Sequence, residues 1–175
     1  MDLKKLKVTE LAKLLSPSSE AFLELKERGA LKTKNSVGEL GQYYAVDFYN
    51  NHSKLPNLFS APPGVQYVDA LSRNGELYSI KTVSSRVGTT GSFWDSDSIN
   101  KSEQKFHYLL IVILDDAYAL DMILELTCDD FLKYKKFNSR MNNYNITATK
   151  KLINLVKIVY EKQWKKLCAV GPAKV

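Results

Sequence analysis

Two residues of this chain have types and spacing that could do chemistry together: Asp69 and Lys81, an acid and a base set in apolar runs on either side of Asn74-Gly75. Aspartate is disfavoured inside strands, so its place in Tyr67-Val-Asp-Ala-Leu needs a reason. A carboxylate can hold a hard divalent cation, and an ammonium beside it can face a phosphate. The pair would therefore suit hydrolysis of phosphodiester bonds. The plainer alternatives are local hydrogen bonding by Asp69 and an edge-strand lysine that discourages aggregation.

Whether the two groups share a pocket depends on the turn. Asn-Gly between β-prone runs is a strong hairpin signal, but loop length decides which side chains face the same way. A two-residue loop would set Asp69 opposite Ile80 and send Lys81 to the other face. A three-residue loop, Arg73-Asn74-Gly75, with Gly75 in the left-handed conformation, sets Ser72 opposite Glu76, Asp69 opposite Ser79 and Tyr67 opposite Lys81. We adopt the second. Alternation then gives Leu77, Ser79 and Lys81 one face and Tyr78, Ile80 and Thr82 the other, which excludes Glu76 as a partner.

Other elements must position this hairpin. Val8 to Leu15 has the spacing of a short helix ended by Pro17, and Ser18-Ser19 caps a second one to about Arg28, with Gly29 at its end. Ser36-Val-Gly-Glu39 has the form of a capping box, and Val37, Leu40, Tyr44 and Phe48 continue it as a helix to about Asn51. A short strand is expected at Asn57 to Ser60. Ser84 to Ser98 reads as a long loop or lid. Phe106 to Leu114 is a strand buried on both faces, Tyr118 to Thr127 another strand, and Asp129 to Phe137 a short helix. Asn138 to Asn145 is polar and expected to be exposed. A last basic helix, 147–166, carries Leu152, Leu155, Val156 and Val159 as its apolar stripe. The chain is thus one α/β (α+β) domain, 1–175, with a mixed sheet of four or five strands flanked by helices.

A helix with a glutamate, an aspartate in one strand, then a small or acidic residue, any residue and lysine in the next: this layout resembles the PD-(D/E)xK superfamily. The likeness to small type II restriction enzymes rests on Asp69-Ala-Leu-Ser-Arg-Asn-Gly-Glu-Leu-Tyr-Ser79-Ile-Lys81, followed by a Gly-Thr-Thr-Gly-Ser-Phe-Trp loop and the strand Phe106 to Leu114. It covers about 36–127, leaving 1–34 as an N-terminal helical extension. It implies a restriction-endonuclease-like fold and a Mg²⁺-dependent endonuclease of the restriction or defence type acting on DNA, with Mn²⁺ able to substitute. Asp69 would be the metal-binding carboxylate, Lys81 the residue that positions or activates water, and Glu39 the helical glutamate completing the site. Ser79 stands where the family usually has Asp or Glu, so Glu39 or Glu103 would supply the missing ligand, or the site has lost its activity. Thr89, Thr90, Ser92 and Trp94, with Ser79, are the expected substrate contacts, and Asp95 and Asp97 could serve a second ion. Cutting a duplex would favour a homodimer.

Charge and cysteine content fit this picture. The net charge is +6. Positions 150–175 hold seven lysines against Glu161, and 1–34 eight bases against five acids, whereas 35–149 is net acidic. Basic flanks around an acidic centre suit a protein that grips a polyanion and holds metal in the middle, although lysine-rich faces are commonly just solvated. With no apolar run of 18 residues and no secretory leader, a cytoplasmic protein with Cys128 and Cys168 as free thiols and no membrane partner is expected. His52 and His107 lack partners at catalytic spacing and read as structural. The remaining alternatives are a nucleic-acid-binding module without activity and a non-enzymatic domain whose lysine-rich end binds an acidic protein.

Overall fold

The computed structural model describes residues 5–7, 10, 13–14, 16, 19–62, 65–93 and 104–162. The expected first helix falls largely outside them, as do Trp94, Asp95, Asp97, Glu103 and Cys168. Four helices and eight strands are described, with six strands in one mixed sheet of order β1-β2-β3-β4-β5-β8. In chain order these are β1 (Leu58–Ser60), β2 (Ala70–Ser72), β3 (Leu77–Val83), β4 (Tyr108–Leu114), β5 (Leu120–Thr127) and β8 (Lys157–Glu161). Only β3 and β4 run parallel; the other neighbours are antiparallel. The sheet therefore has six strands rather than four or five.

Helix α1 (Glu20–Glu27) starts where expected, with the Ser19 side chain accepting from the Phe22 N–H, and its end is followed by Gly29 at φ 72°. Helix α2 (Ser36–Asn50) differs at its first turn. Asn35, not Ser36, is the cap, accepting from the Gly38 N–H, and Glu39 reaches backward out of the helix instead of closing a capping box. The helix lies against β3 so closely that a Cβ at Gly41 would fall 1.9 Å from the Thr82 hydroxyl oxygen. Thr82 in turn donates to the Gly38 carbonyl at 3.3 Å. Further along, the Tyr49 hydroxyl donates to Glu125 on β5, and Lys157 pairs with the same carboxylate at 2.7 Å. Burial, then the Glu125 charge, pushes the Tyr49 phenol well above its ordinary range.

The sheet has a core on each face. Leu40, Ala45, Tyr49, Tyr78, Ile80, Leu110, Val112 and Ile123 fill the α2 side. Val83, Phe93, Leu109, Ile111, Leu124, Phe131, Ile146 and Leu152 fill the other. Strand β4 is buried on both faces, as its continuous apolar run requires.

The second face is covered by α3 (Cys128–Tyr134), the hairpin β6 (Lys136–Asn138) with β7 (Asn143–Asn145), and α4 (Lys150–Ile153). Three expectations fail here, the first being the helix over Asp129 to Phe137, which ends at Tyr134 because Lys136–Asn138 pairs as a strand with Asn143–Asn145. The stretch 138–145 is not simply exposed, because Asn143 is buried and its amide donates to the Ser92 hydroxyl at 2.8 Å. Of the helix expected over 147–166, the described residues form only the single turn Lys150–Ile153, and Lys157–Glu161 forms β8 against β5, pairing Tyr160 with Ile123 and Ile158 with Leu124, while 163–166 lie outside the described residues. The spacing 152, 155, 156, 159 fits a helix, but Ile158-Val159-Tyr160 prefers extended backbone and β5 offers an open edge.

Candidate functional site

The turn forms as the three-residue loop. Gly75 has φ 80°, its N–H donates to the Ser72 carbonyl at 3.0 Å, and the Ser72 N–H donates to the Glu76 carbonyl at 2.9 Å. The ladder pairs Leu71 with Leu77 and Ala70 with Tyr78, then stops. The Asp69 N–H donates to the Tyr78 carbonyl at 2.8 Å, and Tyr67 at φ 64° has left the extended path. The backbone pairs Asp69–Ser79 and Tyr67–Lys81 therefore do not form. Beyond Tyr78, β3 has no strand on this side, and its peptide groups must find other partners.

Asp69 supplies one. Its Oδ2 accepts from the Ile80 N–H at 2.7 Å and, more weakly, from the Ser79 hydroxyl at 3.5 Å. The carboxylate stands where a β2 carbonyl would have continued the ladder. Its own backbone is fixed from outside: the Asp69 carbonyl accepts from the Ala61 N–H at 2.9 Å and from the Gln42 amide at 3.0 Å. By the alternation of strand peptides, the Ile80 carbonyl addresses the same vacated side as its N–H.

The absent continuation of β2 leaves a cleft of about 490 Å³ around the free edge of β3, and Glu39, Gln42, Asp69, Ile80 and Lys81 all line it. The cleft bends around that edge. Glu39 and Gln42 enter from the α2 face, while Lys81 rests on the opposite face with its Nζ 5.1 Å from the centre of the Phe93 ring. No carboxylate among the described residues lies within ion-pair distance of Lys81. The ring's quadrupole holds the ammonium over the aromatic face, and Lys81 is at the same time part of the cleft lining.

Glu39 is already engaged. Its Oε2 accepts from the Lys32 N–H at 2.6 Å and the Thr33 N–H at 2.9 Å, and its Oε1 accepts from Thr33 as well. Burial raises its pKa, but these N–H bonds outweigh burial and hold the carboxyl below its usual range. It stays charged at the cleft wall with most of its hydrogen-bonding capacity taken up by Lys32 and Thr33. Among the described residues, no group of three or more His, Cys, Asp or Glu side chains could hold an ion.

The remaining expected contacts are largely tied up in the fold. Ser79 is fully buried behind Asp69, and Thr90 is 5 % exposed with its hydroxyl accepting from the Ile146 N–H, so neither can face a substrate. Thr89 bonds the Thr147 hydroxyl at 3.0 Å, and Ser92 accepts from Asn143. These hydroxyls pin the loop after β3 to the β7–α4 segment. Gly91 of that loop lines the cleft. His107 accepts from the Leu77 N–H through Nδ1, and the exposed His52 ring lies tilted against Phe48, 5.5 Å between centres, so each has a local contact within the fold. Gln42 and the Ile80 carbonyl were not singled out from the sequence; Gln42 lies one helical turn after Glu39, which is a signal that could have found it.

No protein-family model and no curated protein matches this chain. Among the described residues, no helix is long and apolar enough to cross a membrane.

Proposed function

We propose that the chain is a Mg²⁺-dependent endodeoxyribonuclease of the PD-(D/E)xK type on a restriction-endonuclease-like fold. The observation that carries this reading is that Asp69 and Lys81, with Glu39, line one cleft at the point where β2 leaves β3. Asp69, the Ile80 carbonyl and the remaining capacity of Glu39 are hard oxygen donors, and Mg²⁺ needs only one or two carboxylates beside water and substrate phosphate. The ion, when bound, would supply charge for the phosphoryl transition state and a more acidic water.

The chain's own residues have separable tasks in this scheme. Asp69 holds its carboxylate still through the Ile80 N–H, so no reorganisation is needed when substrate arrives. Lys81 presents its ammonium to a non-bridging phosphate oxygen and orients the attacking water. Gln42 and Ala61 fix the Asp69 backbone from either side. Cutting both strands of a duplex would take two copies of the chain.

A second reading, a DNA-binding module without activity, is favoured by Ser79, a buried hydroxyl where a second acid would stand. The Asp69→Asn variant separates the two. It keeps an acceptor for the Ile80 N–H, so the nuclease reading expects a folded protein that binds DNA and has lost Mg²⁺-dependent cleavage. Absence of cleavage already in the wild type would favour the binding module.

A further inference from the structure

From Phe131 to Tyr160 the chain has seven lysines and arginines and no acid, a stretch that runs from the end of the net-acidic centre into the basic flank. Much of this stretch is the α3–β6–β7–α4 layer over the second face of the sheet, the face on which Lys81 lies. Lys136, Arg140, Lys150 and Lys151 are exposed. No described carboxylate is within ion-pair distance of any of them. Lys136 and Lys151, with the hydroxyl residues Thr147 and Thr149, line a cavity of about 270 Å³ between the hairpin and α4. Thr147 already shares its hydroxyl with Thr89 and Thr149 already accepts from the Leu152 N–H, so the two ammonium groups are what would meet a phosphate, and such contacts position a nucleic acid without reading its sequence.

The layer is fastened to the cleft. Thr90 N–H donates to the Ile146 carbonyl and Phe93 N–H to the Tyr144 carbonyl, both at 2.8 Å, and Ala148 N–H donates to Gly88 at 2.9 Å. The same short loop contributes Gly91 to the cleft wall and Phe93 beneath Lys81. A strand held by the basic layer would thus be held by an element in direct contact with the cleft's lysine.

We infer that the β6–β7 hairpin and α4 form a phosphodiester-backbone-binding wing, with the Lys136–Lys151 cavity taking a phosphate of the DNA duplex bound at the cleft. The inference rests on the nuclease reading for its substrate, but it is a claim about binding and is tested without cleavage. The experiment measures anisotropy of a short labelled DNA duplex in EDTA across a salt series, for the full chain, for Lys136→Gln/Lys151→Gln, and for the charge-matched control Lys26→Gln/Lys54→Gln. All four lysines are exposed, and melting curves check that the variants fold. The wing variant should bind several-fold more weakly and lose roughly 2 from the slope of log affinity against log salt, about 0.9 for each phosphate contact removed. The control should keep the wild-type slope. Equal slopes in both variants, or no duplex binding by the wild type, would overturn the wing. A wing variant that behaves as expected in a protein that never cuts would leave the wing standing and remove the nuclease, whereas Lys81-dependent cutting with unchanged slopes would do the reverse.

Discussion

The β2–β3 hairpin has a closed half and an open half, and they use polar side chains in opposite ways. Near the turn, Glu76 accepts from the Ser72 hydroxyl at 2.9 Å and from the Tyr78 hydroxyl at 3.4 Å, so its charge serves the turn itself. Past Tyr78 the partner strand is gone, Asp69 stands in for it at the Ile80 N–H, and Lys81 faces an opening with no ion-pair partner among the described residues. A strand that outruns its neighbour exposes peptide groups and makes room beside them. That is why the same ribbon can be structural at one end and, in the function proposed above, offer an ion and a phosphate a place at the other.

The sharpest way to break this comparison is to exchange charge in each half. Lys81→Ala and Asp69→Asn should each lower Mg²⁺-dependent cleavage by roughly 10²-fold or more, the usual range for a lost acid–base or charge-stabilising group, with little change in melting temperature. Glu76→Gln in the closed half should leave cleavage within about twofold, and equal losses from both halves would erase the distinction.

Structural effects follow in decreasing order. Gly41→Ala forces a Cβ onto Thr82 and should destabilise by about 1–3 kcal/mol or more, as overpacking does, read as a shift in the denaturation midpoint. Asp69→Ala strips the Ile80 N–H of its acceptor and should cost about 1–3 kcal/mol, which Asp69→Asn should largely restore. If alanine and asparagine melt alike, Asp69 is not replacing the missing strand.

The smallest effect concerns Glu39. Its folded pKa is depressed, so its contribution to stability is present above the unfolded value and is lost as pH falls through the folded one. Acid titration of stability should therefore be shallower in Glu39→Gln than in the wild type, below the ordinary glutamate range. Identical acid profiles would mean that the loop at 32–33 does not depend on that charge.

What the sequence made legible was local. The Arg73-Asn74-Gly75 turn, the Ser19 cap, the extent of α2 and the buried run of β4 each depend on a few neighbouring residues, and each forms. The failures involve partners outside the local sequence window, most of them far along the chain. Lys157–Glu161 becomes a strand because β5 leaves an edge, which no periodicity within 147–166 reveals. Glu39 leaves its helix turn because the chain at 32–33 brings two N–H groups back to it. Thr89, Thr90 and Ser92 look like free hydroxyls until Thr147, Ile146 and Asn143 arrive from more than fifty residues away. Asp69 and Lys81 reach one cleft although the strand pairing expected to bring them together stops short, since alternation along β3 and the end of the ladder suffice.

The central claim is that this cleft hydrolyses DNA, and the most direct measurement is conversion of supercoiled plasmid by the full chain with Mg²⁺, beside Lys81→Ala and an EDTA control. The account predicts nicked or linear product that requires the metal and falls by about 10²-fold or more in Lys81→Ala. No metal-dependent product from the wild type, or equal product from the folded variant, would contradict it.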